Sequence, residues 1–392
     1  MLVVAACSSS GSSGSPSSQD GSGGNSGGNS AGLASINDLY HEFVAAQSPI
    51  SVPTLPSKPT AGKSVAIMTC PLPTCANVAD PAKTAAQKLG WEAFTVNSPI
   101  EPQGYVAAVT QMAQRRPDFA IIIPFFPNTF IAKELAAMQQ AGTKIVEIAG
   151  GQTPSTSGPV LGETSGTPEL SESGRLMGVA VAQDAQGPAH ALFVWDPKLA
   201  SSWEPVMDAF KSVIVGAGGT VDVLGIASSE VGKSVPSQVT SYLQSHQKIS
   251  YVGFAVSDLA TGVPAALKGV GLDSRVKLIS RAPTVATMAD VSSGAEWATV
   301  AEEVEASGYR AIDQLARIDE KIPLGQLINP VGWHQILKKS NLPSSSHTPP
   351  RLAYRRRSSS PGISSGGFRR HPDAGSSGRL EGIRSDLGAP LG

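Results

Sequence analysis

Residues 250–272 read SYVGFAVSDLATGVPAALKGVGL, and this stretch decides the fold. It opens with the continuous apolar run 251–256, which is typical of a strand buried on both faces of a parallel sheet. Ser257 and Asp258 come next, and both are residue types that cap a helix N-terminus. Apolar residues at helical spacing follow, and Gly271 stands where a left-handed residue would end the helix. The stretch therefore predicts a strand, a polar loop at the strand's carboxyl end, and a helix.

The same unit recurs along the chain. Apolar runs predict further strands at residues 64–68, 119–123, 144–148, 189–195, 221–224 and 276–280. The units fall into two series of similar length and order, 63–161 and 167–281, and segment 295–319 adds a strand and a long amphipathic helix. Asp80 and Pro81 are predicted to begin the helix after the first strand. The predicted fold class is α/β, with two similar doubly wound lobes of parallel sheet.

Composition limits the class of protein. A chain of 392 residues favours two domains, and 41% hydrophobic residues are enough for two cores. The formal net charge is −1, from 30 basic and 31 acidic side chains. Residues 344–392 hold eight of the bases and three of the acids, so the rest of the chain has 22 bases against 28 acids, a net −6. An acidic body argues against nucleic-acid binding, and no apolar run approaches the roughly eighteen residues of a membrane-spanning helix.

Residues 1–7 end in Val-Ala-Ala-Cys, which is similar to the lipidation motif of bacterial lipoproteins, with Cys7 as the lipidated residue. A secretory signal needs a basic start and an apolar stretch of about 7–15 residues, so either the true start lies upstream or the match is chance. Residues 8–35 are nearly all Ser, Gly and Asn and predict a flexible tether. A short helix at 36–46 and a Pro-rich lead-in complete this segment up to residue 61. The order of Cys, tether and folded body favours attachment to a membrane through Cys7.

Three motifs carry a family resemblance: PDFAIIIP at 117–124, SGRLMGVAVAQ at 173–183, and the stretch at 250–272. Arranged as two strand–helix series, the chain resembles the type I periplasmic binding proteins of ABC-type importers. The resemblance implies a three-crossing hinge between lobe 1 (62–163 plus 302–320) and lobe 2 (164–301 plus 321–343). A small-molecule solute, with a sugar or sugar-like compound favoured, is then expected to bind between the lobes.

The same resemblance implies a monomer that delivers its solute to an importer's permease, at the outer face of the cytoplasmic membrane or in the periplasm. It implies no chemistry on the solute, no cofactor and no metal. The sequence has no GxxxxGK[ST] motif, and its Gly-rich segment 216–219 follows a predicted helix, which argues against a dinucleotide loop. The alternative is a ligand-sensing receptor domain of the same fold that signals to a membrane partner.

The ligand contacts of this family come from loops at strand ends. Carried over position by position, they predict a site made of Thr69, Asn77, Phe125, Phe126, Glu204, Ser257, Asp258, Arg281 and Glu302, to which Trp195 and Trp203 are added as candidate aromatic walls. Arg281 is the candidate for a forked contact, and the four aromatic side chains either wall the site or pack in the cores. Ala149 and Gly150 stand where sugar binders often have Asp-Arg, so the usual clamp on hydroxyls is missing or redistributed. Asp258 is a helix cap, a cleft residue, or both.

Cys70 and Cys75 flank a Pro-rich loop, TCPLPTC, after the first predicted strand. In an exported protein a disulfide is expected to close this loop. A metal site at this pair lacks further ligands, and a redox pair favours the CxxC spacing, so neither alternative is favoured.

Residues 344–392 lose all helical and strand periodicity. Ser, Gly and Pro dominate, and Arg is used without Lys. The composition predicts disorder. Either a frameshift has replaced the ending that relatives would have, or a genuine basic tail contacts anionic lipid.

Overall fold

The computed structural model describes residues 27–47, 52–150 and 153–342. Cys7 and residues 344–392, on which the lipidation and frameshift hypotheses depend, lie outside these ranges. Within them, no helix combines the length and the apolar character that a membrane crossing requires. The described chain begins with helix α1 (Gly27–Val44) and continues into two α/β lobes.

The first lobe is built on a parallel sheet. Its strands are β1 (Ser64–Thr69), β2 (Glu92–Asn97), β3 (Phe119–Ile122), β4 (Lys144–Ile148) and β5 (Val160–Thr164), in the order β2-β1-β3-β4-β5. Helices α2 (Pro73–Lys88), α3 (Pro102–Gln114) and α4 (Ala132–Gln140) connect them. Alternate residues of β1 enter different cores, Ala66 and Met68 in one and Val65 and Ile67 in the other. Burial on both faces explains why β1 is apolar without interruption.

The second lobe repeats this architecture with one added strand. Its strands are β6 (His190–Trp195), β7 (Thr220–Gly225), β8 (Tyr251–Phe254), β9 (Lys277–Arg281), β10 (Ala298–Glu302) and β11 (His334–Lys338), in the order β11-β10-β9-β8-β6-β7. Its helices are α5 (Thr167–Ala185), α6 (Ala200–Gly216), α7 (Val235–Ser245), α8 (Val263–Gly269) and α9 (Val285–Ser293). All pairings are parallel except that β11 runs antiparallel to β10.

Beyond residue 62, three segments of chain join the lobes. They lie between β5 and α5, between β10 and α10 (Val304–Asp319), and between α10 and β11. Helix α10 packs on α2 and β4, and its Ala311 and Leu315 belong to a first-lobe core. A Cβ on Gly308 would lie only 2.3 Å from the Val78 carbonyl oxygen, so glycine allows this close approach. The predicted fold class is confirmed.

Helix α2 differs from its predicted start. It begins at Pro73, not at Asp80, and Pro81 lies inside it. Pro73 is tolerated in the first turn because its missing N–H would be unpaired there anyway. Cys75 and Val78 give these early turns a buried face, so tertiary packing extends the helix past a residue that usually begins one.

The loop after β8 corrects the helix-cap interpretation of Asp258. Residues Ser257–Ala260 form a turn of 3₁₀ helix, and α8 begins only at Val263. Gly262, with φ of 79°, precedes α8 and reverses the chain in a conformation that favours glycine. The Asp258 side chain caps neither this turn nor α8 and instead accepts a hydrogen bond from Thr74 in the first lobe.

Helix α1 begins at Gly27, before the predicted start at residue 36, so the end of the predicted tether is helical. The helix packs on the second lobe. Asn37 accepts a hydrogen bond of 3.0 Å from Gln183 of α5, and the Tyr40 hydroxyl lies 3.2 Å from Lys338 of β11. A helix with a Gly- and Ser-rich start is unstable by itself, so α1 is stabilised by its packing on the second lobe.

Candidate ligand-binding cleft

A cavity of about 90 Å³ lies between the two lobes, where the strands of both sheets end. Residues from both lobes and from the crossings line it. Four residues of the predicted site are among them: Phe125, Trp203, Arg281 and Glu302. Because ligands of open α/β sheets bind at the carboxyl ends of the strands, this interlobe cavity is the candidate site.

Arg281 and Glu302 form a buried ion pair at the cavity. Arg281 Nε donates to Glu302 Oε2 at 3.0 Å, and Nη2 donates to Oε1. The remaining guanidinium nitrogen, Nη1, donates to the Ala255 carbonyl oxygen at 3.1 Å. Glu302 also accepts from the hydroxyl of Ser173. Arg281 thus makes a forked contact with a carboxylate of the protein, and its predicted contact with a solute stays a prediction.

Asp258 sits beside the cavity and is 2% exposed. Its Oδ2 accepts a hydrogen bond of 2.6 Å from the hydroxyl of Thr74, in the first turn of α2. Burial raises the pKa of Asp258, and the hydrogen bond from Thr74 opposes this effect by stabilising the carboxylate. The neighbouring Ser257 donates to the Ala282 carbonyl oxygen at 2.8 Å. The hydrogen bond of Asp258 therefore joins the two lobes, and that of Ser257 holds the loop that follows β9.

The four predicted aromatic side chains divide into two groups. Phe125 and Trp203 line the cavity from opposite lobes. Phe126 instead packs in the first-lobe core, with its ring 5.7 Å from that of Tyr105. Trp195 is half-buried, packs against the core of the second lobe, and is not part of the cavity lining. Phe126 and Trp195 therefore pack in the protein cores and do not wall the cavity.

Three polar residues of the predicted site lie away from the cavity. Thr69 ends β1 and Asn77 lies in α2, and both are half-buried. Glu204 is exposed and lines a separate shallow groove between α5 and α6. It follows Trp203 directly in a helix, so the two side chains point in different directions.

Sequence reasoning missed several residues of the lining. Thr74, Ser165, Ser202 and Ser307 contribute hydroxyl groups, and Leu72, Val78 and Leu199 add apolar surface. Ser202 Oγ donates to the Ala149 carbonyl oxygen at 2.7 Å, which makes a second hydrogen bond between the lobes. The TCPLPTC loop could have indicated Leu72 and Thr74, because it follows the first strand and ends beside the cavity.

Three cavity residues other than glycine have a left-handed backbone. Ala149 has φ of 62°, and Ser165 and Ala282 both have φ of 52°. Each directly follows a strand, namely β4, β5 and β9. Such conformations are uncommon outside glycine, and they cluster at binding sites where the fold holds them in place.

The cysteine pair lies in the first-lobe loop that lines the cavity. Cys70 and Cys75 form a disulfide with a Cα–Cα distance of 5.5 Å, and Cys75 lines the cavity. The bond closes the loop that carries Leu72 and Thr74. The disulfide therefore restrains part of the candidate site.

A pair of buried acids lies at the edge of the first lobe's sheet. Glu147 of β4 and Glu163 of β5 are register partners, and both are fully buried. Burial raises the pKa of Glu147 to about 7, and burial together with the charge of Glu147 raises the pKa of Glu163 to about 9. A Cβ on Gly150 would lie 2.5 Å from Glu163 Oε1 and 3.1 Å from Glu147 Oε2, so both carboxyl groups face the same point.

Asn128 and Asn329 donate to the other oxygens of these two acids, at 2.7 and 2.8 Å. Asn329 belongs to the third crossing, so the acid pair contacts the hinge. Across residues 27–47, 52–150 and 153–342, no group of three or more His, Cys, Asp or Glu is placed to hold a metal ion.

Residues 74–321 match the family model of the periplasmic binding protein domain. The match spans more than half of the chain, and the protein belongs to this family. The predicted family is therefore confirmed. A search of curated proteins finds no match.

Solved structures share the fold. A glucose-galactose binding protein from Geobacillus stearothermophilus has a TM-score of 0.62 at 16% identity, covering 72% of this chain and 100% of its own. A solute-binding protein of an ABC transporter from Burkholderia graminis, in complex with D-arabinose, has a TM-score of 0.63 at 16% identity, covering 73% and 98%. Another from Mycobacterium smegmatis, with bound glycerol, has a TM-score of 0.61 at 21% identity, covering 72% and 96%. Identities this low establish the likeness of fold alone.

Proposed function

We propose that the protein captures a small molecule in the interlobe cavity and delivers it to an ABC-type importer. One observation carries this proposal: side chains of both lobes line the cavity. A solute bound there contacts both lobes at once and therefore favours the closed state over the open one. The structural neighbours named above were solved with D-arabinose and glycerol, so a sugar or sugar-like solute is the first class to test.

The protein acts on its solute by binding alone. The charged side chains of the cavity lining, Arg281 and Glu302, are bonded to each other, so neither is a free acid or base. Delivery to a permease, a lipid anchor on Cys7, a monomeric state and a position at the outer face of the cytoplasmic membrane or in the periplasm belong to the same proposal.

Thermal unfolding of the full chain tests binding. A panel of sugars and polyols is added, and a true ligand at a hundredfold excess over Kd adds about 2.7 kcal/mol to the stability. Trp203→Phe should weaken the response because Trp203 lines the cavity, whereas Trp297→Phe should not, because Trp297 packs elsewhere against Tyr251. Turnover of a panel compound, or equal responses of both variants, would contradict the proposal.

Uptake of the labelled solute separates import from sensing. Cells that lack the protein should lose high-affinity uptake and regain it with the wild-type chain. Normal uptake in those cells, with binding intact in the purified protein, would instead favour a receptor domain that signals to a membrane partner.

A further inference from the structure

A buried histidine lies where the crossings between the lobes meet. His334 is 2% exposed and is the first residue of β11, directly after the third crossing. Its Nδ1 lies 3.0 Å from the carbonyl oxygen of Gly332, and its Nε2 lies 3.0 Å from the hydroxyl oxygen of Ser173 in α5. Within residues 27–47, 52–150 and 153–342 these are the two hydrogen-bond partners of the ring. What each oxygen can donate or accept therefore decides how many protons the ring carries.

The partner of Nδ1 can only accept. A backbone carbonyl has no proton, so Nδ1 carries a proton and donates it to the Gly332 carbonyl oxygen. A neutral imidazole that donates from Nδ1 has an unprotonated Nε2, and that nitrogen can only accept. In a neutral ring, the hydroxyl of Ser173 would therefore have to donate to Nε2.

The single proton of Ser173 is needed elsewhere. The hydroxyl also lies in hydrogen-bond contact with Oε2 of Glu302, a carboxylate that is paired with Arg281 and has no proton to give. The Glu169 carbonyl oxygen, 3.2 Å away, is a further acceptor. If Ser173 donated to His334 instead, its oxygen and that of Glu302 would face each other without a proton between them. Nε2 therefore donates to Ser173, and the ring holds protons on both nitrogens.

The charges around the ring agree with a positive histidine. Two ion pairs lie at the crossings, Arg281 with Glu302 and Arg310 with Glu169. A third carboxylate, Glu303, lies 3.7 Å from Nε of Arg310, so this buried cluster holds three acids and two arginines. Burial raises the pKa of Glu303, and the positive charges of Arg310 and the histidine oppose this effect. An imidazolium brings the cluster to zero net charge, whereas a neutral ring leaves one buried negative charge uncompensated.

We propose that His334 is an imidazolium and that it positions the arginine of the interlobe cavity. His334 donates to Ser173, and Ser173 donates to Glu302. Glu302 in turn accepts the forked contact of Arg281, which lines the cavity. When the ring loses its Nε2 proton to solvent, the Ser173 hydroxyl turns to Nε2 and Glu302 loses a donor. The carboxylate then holds Arg281 less firmly, so capture of a solute responds to pH. This response rests on the proposed function, whereas the charge of His334 does not.

Nitrogen NMR of the full chain with labelled histidine tests the charge. The spectrum is recorded at pH 7.5, where an ordinary imidazole with a pKa of about 6.5 is mostly neutral. His334 should show two protonated nitrogens, whereas the exposed His246 should show one protonated and one unprotonated nitrogen. His334→Gln and His246→Gln assign the signals, and if His334→Gln fails to fold, variants of the other histidines assign its signal by elimination. An unprotonated nitrogen on His334 overturns the inference and leaves the proposed function standing.

A titration of the same chain to pH 9.5 tests the positioning role. The Nε signal of Arg281 should shift over the same pH range as the nitrogens of His334, and it should stay constant in His334→Gln. Arg317 is the matched control, since it makes the same forked contact with Asp313 of α10 and its signal should not follow the histidine.

A constant Arg281 signal, a shift shared by Arg317, or retention of both ring protons throughout the titration would overturn the pH response. Neither experiment contains a solute. Failure of the sugar and polyol panel therefore bears on the proposed function alone, and failure of the NMR experiments bears on this inference alone.

Discussion

The hydroxyl of Thr74 in the first lobe donates a hydrogen bond of 2.6 Å to the buried carboxylate of Asp258 in the second lobe. Together with the bond from Ser202 to the Ala149 carbonyl, it spans the cleft beside the cavity. Both bonds require the closed arrangement of the lobes. They therefore set a baseline preference for closure, to which a solute adds its own contacts.

Thr74→Val should shift the protein toward open conformations. The variant keeps the shape of the side chain but leaves the buried Asp258 without its partner, a loss of about 1–3 kcal/mol to the closed state. Small-angle X-ray scattering should show a larger radius of gyration. Thr110→Val is the control, because Thr110 bonds Glu134 within the first lobe only. An unchanged radius for Thr74→Val would show that this contact does not hold the lobes.

Breaking the Arg281–Glu302 pair should be costly. Both side chains are buried, so Arg281→Met leaves an unpaired carboxylate and should lower the free energy of unfolding by about 3–5 kcal/mol. The double variant with Glu302→Leu should recover much of that loss. Urea unfolding measures both. Arg175→Met, which breaks the more exposed pair with Glu172, should cost less than about 1 kcal/mol. Equal losses for Arg175→Met and Arg281→Met would refute the pairing argument.

The acid pair Glu147–Glu163 should make stability depend on pH. At pH values between about 4.5, the ordinary pKa, and about 9, the native protein holds the Glu163 proton and the unfolded chain releases it. The unfolded state then binds fewer protons, so the free energy of unfolding falls as pH rises through this window. Glu163→Gln removes this contribution.

Urea unfolding at pH 5 and pH 8.5 checks this prediction. Glu163→Gln should gain stability relative to wild type between these values, by at least about 1.4 kcal/mol, the equivalent of one pKa unit. The exposed Glu101→Gln serves as control and should follow the wild type. A constant difference between Glu163→Gln and wild type across pH would mean that Glu163 is ionised in the native state.

Removing the Cys70–Cys75 disulfide should affect both stability and binding. A loop this short is expected to contribute about 2 kcal/mol through the unfolded state. Because the loop carries Leu72 and Thr74, the Cys70→Ala/Cys75→Ala variant should also bind solute more weakly. Mass spectrometry before and after reduction verifies the bond. A variant with reduced stability but unchanged affinity would limit the role of the disulfide to folding.

The sequence predicted the central strands well, since strands buried on both faces are continuously apolar. Strand β2 escaped prediction because it lies at a sheet edge and most of its side chains are exposed or half-buried. The start of α2 was also misplaced. Pro81 carries the local signal of a helix start, whereas the packing of Cys75 and Val78 that extends the helix is set by the tertiary fold.

Prediction of the site was less complete for a related reason. Position at a strand end brought Phe125, Arg281 and Glu302 to the cavity, but it cannot show which partner each side chain chooses. Arg281 bonds Glu302, and Asp258 bonds Thr74, through contacts between residues 21 and 184 positions apart. Such distant pairs are visible only once the lobes are folded and closed.

Helix α1 packs on the second lobe, while the segment after it lies on the first. The carbonyl oxygen of Pro53 accepts from Arg317 of α10, and the Thr60 carbonyl accepts from Trp91. The N-terminal segment is thus a fourth covalent link between the lobes, one that a body trimmed to begin at residue 62 would lack. If the chain ahead of α1 is attached to a surface, the second lobe stays next to that surface. Opening of the cleft then moves the first lobe relative to it.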